Sequence, residues 1–293
     1  MKISPQCMLC LLRKQEGILR KQPDYPDPVN YMKNVMKIII ESSDDDTMPW
    51  IADRIQKYAS SQFPEERDYA LIKSYYNEQM MKQEDLFWET IQKADDPLSY
   101  AIRLARCGNY IDFGAMERVD DDVLADLLQR IANEELDPIL YEKFQKQMAQ
   151  ATSFVYLCDN CGEIVLDKLL IRLLLKRYPN TDIKVMVRGG EVINDATMID
   201  VQQVHLDSLV PCIDSGVPLA GCDLRHISRQ ARMEIENADM ILAKGQANFE
   251  SLYGHNLPIY YLFLCKCEYF TQRFHMKRLE GVFTNEDALH DII

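Results

Sequence analysis

The chain has 293 residues, 47% of them hydrophobic, which is enough for one large core or two unequal ones. A formal net charge of −13 excludes the cationic footprint that nonspecific nucleic-acid binding needs, and no run approaches the ~20 apolar residues of a membrane span. No apolar signal-peptide core precedes Cys7, and nine cysteines read as reduced thiols rather than a disulfide frame, so a soluble, cytoplasmic chain is expected.

The chain opens on Cys7-Met-Leu-Cys10. Such a pair supplies half of a four-ligand zinc site. Cys265 and Cys267 are the candidates to complete a second, structural metal site joining the two ends of the chain. The alternative is that all four are small apolar side chains, as free cysteines commonly are. From Leu9 to about Gln150 the pattern is helical, with apolar residues three and four apart over 29–41, 50–63, 65–82 and 87–94. Pro23, Pro26 and Pro28 separate the first two helices, residues 42–47 form a polar link, and Pro64 divides two further helices. Asp120, Asp121 and Asp122 read as the acidic start of a helix over 123–133. After a helix over 98–106, Gly108 and Gly114 bracket Asn109 and Asp112. Gly108 reads as a left-handed C-cap, or the loop faces a ligand crevice from the helical side.

After Gln150, apolar runs of strand length alternate with helices: strand 154–157, helix 164–177, strand 182–187, a helical stretch over 194–204, strand 238–243 and a last strand over 258–264. Such alternation implies parallel βαβ units. The expected fold class is therefore α/β: a Rossmann-like three-layer α/β/α sheet over residues 151–293, with an all-helical N-terminal part over 1–150. No Gly-x-Gly-x-x-Gly follows the first strand, so dinucleotide binding has no support.

Ligands of open α/β sheets collect at the carboxyl ends of strands. The first strand ends in Asp159-Asn160, followed by Gly162 and Glu163. A carboxylate beside an amide oxygen suits a hard divalent cation. Asp and Asn also cap helices at such turns, so both readings stand for this stretch alone. The second strand ends in Arg188, with Asn194 and Asp195 beyond a Gly pair. The third ends in Lys244-Gly245-Gln246-Ala247-Asn248, and the last leads to Lys266. Carboxylates plus an amide can hold one cation, and two lysines can neutralise phosphoryl charge as point charges. The N–H groups of Gly162 and Gly245, near helix starts, suit an anion. Each lysine alone is an ordinary surface residue. Their coincidence with Asp159 and Asp195 favours metal-assisted attack on a phosphate ester.

The segments 108–114, 159–163, 188–197 and 243–250 resemble, in order, the motifs of the metal-dependent damage-control phosphatases. That family was long catalogued as a domain of unknown function and includes the acidic-residue methyltransferase-like proteins. The N-terminal Cys-x-x-Cys and Lys266-Cys267 are similar to its stand-alone prokaryotic branch. The resemblance implies one divalent ion (manganese, cobalt, nickel or magnesium) held by Asp159, Asn160 and Asp195. It implies hydrolysis of small phosphorylated metabolites, such as sugar phosphates or damaged cofactor-related esters. Glu163, Lys244, Asn248 and Lys266 would line the substrate pocket, with Asn109 and Asp112 approaching from the helical part. Arg188 is counted with the substrate-binding residues. Asp159, Asp195 and Glu163 are the expected catalytic residues, Glu163 being the freer candidate for general base. Cys161 and Ala247 depart from the small residues other members carry, and a nearby thiol favours softer ions.

Two other readings stand beside this one. A carboxyl methyltransferase, an activity attributed to relatives, needs a methyl-donor pocket, and the usual Gly-rich loop after the first strand is absent. A non-catalytic metabolite- or metal-binding protein would keep the fold, yet all three ligands and both lysines are present. A haloacid-dehalogenase-type Asp-x-Asp fails at Cys161. The partner expected is a small phosphorylated substrate, with no nucleic acid and no membrane, and the pattern specifies no oligomeric state.

Overall fold

Ser4, Asp27, Thr47 and Asp137 each accept a backbone N–H from the first turn of a helix that carries proline at its first or second position. Proline suits that turn, where its missing N–H has no intrahelical partner to lose. Pro28, read as a separator, therefore also opens a helix. The computed structural model describes residues 3–63, 69–108, 129, 131 and 134–290. Its helices up to residue 150 are α1 (Pro5–Arg20), α2 (Pro28–Ile40), α3 (Met48–Gln62), α4 (Tyr69–Met81), α5 (Glu84–Lys93), α6 (Pro97–Gly108) and α7 (Pro138–Gln150). Pro64 and the Asp120–Asp122 triplet lie outside the described residues. Gly108 is not a left-handed cap but the last helical residue of α6. A Cβ there would stand 3.0 Å from Glu163 Cγ, so glycine serves close approach between helices.

Six strands follow: β1 (Ser153–Leu157), β2 (Asp182–Val187), β3 (Cys212–Asp214), β4 (Met240–Lys244), β5 (Ile259–Leu264) and β6 (Gly281–Asn285), in the order β3-β2-β1-β4-β5-β6. The expected α/β sheet is present, but β3 and β6 are additions to the four strands read from sequence. The strand over 259–264 is not the last. β3 is three residues long and half-exposed, and β6 pairs antiparallel with β5 at an edge. Neither needs the long apolar run that marks a buried parallel strand. The expected helical stretch over 194–204 shortens to α9 (Met198–Gln203), started by a capping box between Thr197 and Asp200.

Side chains alternate across the sheet, and each face carries its own helical layer. Phe154, Tyr156, Val185 and Leu242 pack with residues of α5, α6 and α7 and with α8 (Glu163–Arg177). Val155, Leu157, Ile241 and Phe263 face α10 (Arg229–Glu236), α11 (Gly245–Leu252) and α12 (Glu268–Arg273). The last helix, α13 (Glu286–His290), follows β6. Helices α1–α3 form a smaller cluster around Tyr31, Val35 and Ile51. They meet the second layer through Thr47 Oγ1, which donates to Asp223 Oδ2 at 2.8 Å, and through Trp50 stacked on His226 at 3.6 Å. The N-terminal helices thus serve both layers, and the main hydrophobic core runs across residue 150.

Helix α8 is the inner helix of the first layer and buries residues nearly all round. Ile164, Val165, Leu169, Leu170, Ile171 and Leu174 are each worth about 1.5–3 kcal/mol on burial. Together they outweigh the several kcal/mol per ion of enclosing Glu163 and Asp167 on the same helix. From β1 the chain builds outward to β3, then returns beside β1 with β4 and builds outward to β6. That reversal opens a crevice at the carboxyl ends of β1 and β4. No helix among the described residues is long and apolar enough to cross a membrane.

Candidate active site

The loops after β1 and β2 are zipped together by backbone hydrogen bonds. Ala196 N–H donates to Asp159 O at 2.8 Å, Cys161 N–H to Asn194 O at 2.8 Å, and Arg188 N–H to Ala196 O at 2.9 Å. Asn160 and Asp195 form a short antiparallel bridge. The pairing brings Asp159, Asn160 and Asp195 together from 36 residues of sequence, 159–195. Ile193 holds φ at 45°, a conformation that β-branched residues rarely adopt, directly before Asn194-Asp195. Such strain persists only where the surroundings over-determine it.

Arg188, at the end of β2, is the hinge of this cluster. Its guanidinium donates from Nε to Asp195 Oδ2 at 2.6 Å, from Nη2 to Asp159 Oδ1 at 3.2 Å and from Nη1 to Asn248 Oδ1 at 3.0 Å. Burial opposes its charge, but Asp195, Cys222 and Asp159 more than offset that and raise its pKa. It is 1% exposed, so it clamps two carboxylates instead of reaching a substrate, contrary to the expectation from sequence. Asn248 is likewise committed: its Nδ2 donates to Lys244 O at 2.6 Å and Cys158 O at 3.2 Å, which takes it out of the expected pocket lining. The Asp159 carboxyl is pushed up to about 7 by burial, then by Asp195 and Glu163, against the pull of Arg188 and Lys266. A Cβ on Gly245 would lie 2.0 Å from Asp159 Oδ2. With φ at +79°, only glycine lets the start of α11 come this close to the carboxylate.

Lys244 also departs from expectation. The last residue of β4 turns into the first helical layer and is fully buried, with all three ammonium protons donated: to Ala105 O at 2.8 Å, Asp167 Oδ1 at 2.7 Å and Glu163 Oε1. Burial disfavours its charge, yet Asp167 and Glu163 raise its pKa overall. Lys244 is therefore a counter-ion for two enclosed carboxylates and not a charge facing substrate. Glu163 is fully buried as well, accepting from Lys244 and, through Oε2, from Asn160 Nδ2 at 3.0 Å. A carboxylate so held is not the free base expected.

The N–H of Gly162, expected to serve an anion, donates instead to Asn77 Oδ1 at 2.6 Å. Asn77 Nδ2 donates to Asp200 Oδ1 at 2.9 Å, and the buried Lys73 pairs with Asp200 Oδ2 at 2.8 Å. Helix α4 thus ties the loop after β1 to the start of α9. Sequence reasoning missed Lys73, Asn77, Asp200, Asp167 and Tyr156. The one legible signal was Asp167, an acid inside the apolar face of α8.

Lys266 is half-buried after β5 and near enough to Asp159 to lower its pKa. Asn109 and Asp112 lie outside the described residues. Cys161 is buried, and burial pushes its thiol far up. Of the four terminal cysteines, Cys10 is exposed and the Cys7 Sγ accepts from Ser4 Oγ at 3.1 Å. The Cys265 Sγ lies 3.9 Å from Met276 Sδ. Among the described residues no three His, Cys, Asp or Glu side chains converge as a metal cage, although Cys7 lies near enough to Cys267 to help raise its pKa. The set at the crevice is of another kind: two carboxylates and the Asn160 amide. Two surface clefts, of about 360 Å³ beside Tyr178 and about 680 Å³ beside Arg273, include none of these residues.

The fold and the site define a Rossmann-like α/β protein with paired carboxylates at its topological switch point. The damage-control phosphatase ARMT1-like domain matches residues 3–280, and the chain belongs to that family. It is 30% identical over 273 residues to a damage-control phosphatase of Archaeoglobus fulgidus, covering 92% of this chain and 93% of the relative. A damage-control phosphatase of Pyrococcus horikoshii is 26% identical over 269 residues, with 91% and 92% covered. An uncharacterized protein of Methanocaldococcus jannaschii is 28% identical over 282 residues, with 91% and 90% covered. The crystal structure of a DUF89 family protein from P. horikoshii shares the fold, with a TM-score of 0.79 at 23% identity over 98% of this chain and 99% of that one. Membership places the chain among phosphatases.

Proposed function

We propose that the protein hydrolyses small phosphorylated metabolites, sugar phosphates or damaged cofactor-related esters, at one divalent metal ion held by Asp159, Asn160 and Asp195. The observation that carries this reading is the meeting of these three side chains at the ends of β1 and β2, clamped from behind by Arg188. The donor set fits a hard cation such as magnesium or manganese. Its donors are oxygens, and Arg188 is clamped between the two crowded carboxylates. The missing Cβ of Gly245 lets the Asp159 carboxylate sit against the start of α11.

A bound divalent cation supplies Lewis-acid polarisation of a phosphoryl oxygen and a more acidic water. This chain's residues do the rest. Arg188 holds both carboxylates in place. Glu163, with no exposure, orients Asn160, whereas Asp159 at 8% and Asp195 at 7% reach the crevice. Lys266 offers the cation for a substrate oxyanion. The net charge of −13 supports a small-molecule partner over nucleic acid. The test is phosphate release from a panel of small phosphate esters. Chelated protein is reloaded with magnesium, manganese, cobalt or nickel, and wild type runs beside Asp159→Ala. Metal-dependent release that vanishes in the variant is expected. Silence with every metal, in folded wild type, would overturn the proposal.

A further inference from the structure

A metal can use the oxygen of an asparagine amide but not its nitrogen. The two ends of the Asn160 side chain have nearly the same shape, so hydrogen bonding decides which of them points where. Its Nδ2 donates to Glu163 Oε2 at 3.0 Å and to Asp159 Oδ2 at 2.9 Å, while its Oδ1 accepts from Asn194 Nδ2 at 3.0 Å. A flipped amide would set its oxygen against two carboxylate oxygens. The orientation therefore depends on Glu163 presenting an accepting oxygen in a fixed place within the core. What holds Glu163 there is Lys244, bound to its other oxygen, Oε1.

Lys244 in turn is placed by Asp167. Glu163 and Asp167 are four residues apart on α8, hence on one face, and the ammonium sits against both. Asp167 Oδ1 accepts from Lys244 at 2.7 Å and from the Tyr156 hydroxyl at 2.6 Å. Its other oxygen, Oδ2, is buried with no hydrogen-bond partner among the described residues. A naked buried carboxylate oxygen is costly, and an apolar residue at this position of an apolar helix would avoid the cost. The site keeps the acid nonetheless, and the one oxygen in use serves the lysine.

We infer that Asp167 and Tyr156 are positioning residues that act through Lys244 and Glu163 to hold the Asn160 amide so that its oxygen, through the lone pair that Asn194 leaves, and not its nitrogen is offered to the metal. The inference rests on the metal-site reading above, since it concerns how one of the three ligands is oriented. Asp167 and Tyr156 touch neither metal nor substrate. Their role is to set metal affinity from two residues away. Partners of this kind typically change affinity ~10–100-fold when removed.

The test is a titration with manganous ion alone, followed by electron paramagnetic resonance of the free ion, on chelated wild type, Asp167→Asn, Tyr156→Phe, Asn160→Ala and the Asp167→Asn/Asn160→Ala double variant. Circular dichroism confirms that each is folded, and Tyr156→Phe, which deletes one hydroxyl, covers the case in which Asp167→Asn is not. The expected result is a dissociation constant raised ~10-fold or more by Asp167→Asn and less by Tyr156→Phe. In the Asn160→Ala background, where no amide remains to orient, Asp167→Asn adds nothing. A merely structural or long-range electrostatic role would cost the same in both backgrounds, and that result overturns the inference, as does wild-type affinity in both Asp167→Asn and Tyr156→Phe. Failure of the underlying reading has a different signature: wild type and Asn160→Ala bind alike, or wild type binds no ion.

Discussion

Two ion clusters share the strand ends of this protein, and they differ in depth. In the outer one, Arg188 joins Asp159 and Asp195, whose carboxylates reach the crevice. In the inner one, Lys244 joins Glu163 and Asp167, all without solvent exposure. Both place one cation between two acids. In the outer cluster the two acids stand at an opening, where the proposed ion would meet them. In the inner cluster the cation's donors are all spent, which makes it a support. Asn160 links the two, bonded to Asp159 on one side and Glu163 on the other. The lesson is that charged residues at neighbouring strand ends are not equivalent: the direction in which each side chain leaves its strand decides between chemistry and scaffolding.

Breaking the outer cluster should cost activity first, and breaking the inner one should cost stability as well as metal affinity. Asp195→Ala is expected to lower metal-dependent phosphate release roughly 10³-fold, the equivalent of several kcal/mol of metal-based catalysis, while Arg188 keeps Asp159 as a partner. Initial rates across a metal series measure this. Lys244→Met strands Glu163 and Asp167 as buried anions and is expected to lower the unfolding free energy by about 3–5 kcal/mol, read by urea denaturation. If Lys244→Met instead left stability intact and removed only turnover, the division between the clusters would be wrong.

Smaller changes sharpen the comparison. Asn77→Ala removes the acceptor for the Gly162 N–H and a donor to Asp200, and should cost about 1–3 kcal/mol in the same denaturation assay. Gly245→Ala places a methyl where Asp159 Oδ2 sits and imposes a left-handed backbone on alanine, worth about 1–2 kcal/mol of stability. Its diagnostic effect is on the outer cluster alone: calorimetric titration should show weakened manganese binding. Away from both clusters, Asp239 accepts from the Thr152 hydroxyl and the N–H groups of Thr152 and Ser153, and these bonds hold its carboxyl down to about 2. Its folded-state pKa is depressed below the ordinary ~3.9, so its stabilisation is present above about pH 4 and is lost as the pH falls toward 2. Asp239→Asn should flatten that part of the stability profile and leave phosphate release unchanged.

Much of this arrangement was legible before any fold was known. Asp159-Asn160 and Asp195 stand beyond the points where apolar runs stop, and apolar runs of strand length alternating with helices announce parallel strands whose ends converge. Lys266 lies near enough to Asp159 to lower its pKa. Arg188, Lys244 and Asn248 were equally visible as polar residues at strand ends, yet the sequence could not reveal which way they turn. Lys73 and Asn77 carry no local signal, because an exposed and a buried polar face of a helix read alike until the partner surface is known. β3 and β6 were unread because an edge strand needs no continuous apolar run.

The sequence by itself therefore determined the α/β class, the strand ends that bear the acids and the family the chain belongs to, because hydrophobic periodicity and short motifs are local. Only the tertiary structure decided that Arg188 and Lys244 are counter-ions, that Glu163 is enclosed and that the N-terminal helices serve both layers. Those outcomes depend on which residues from distant segments face one another. Burial then sets their energies, by removing water from charges that must find partners inside the protein.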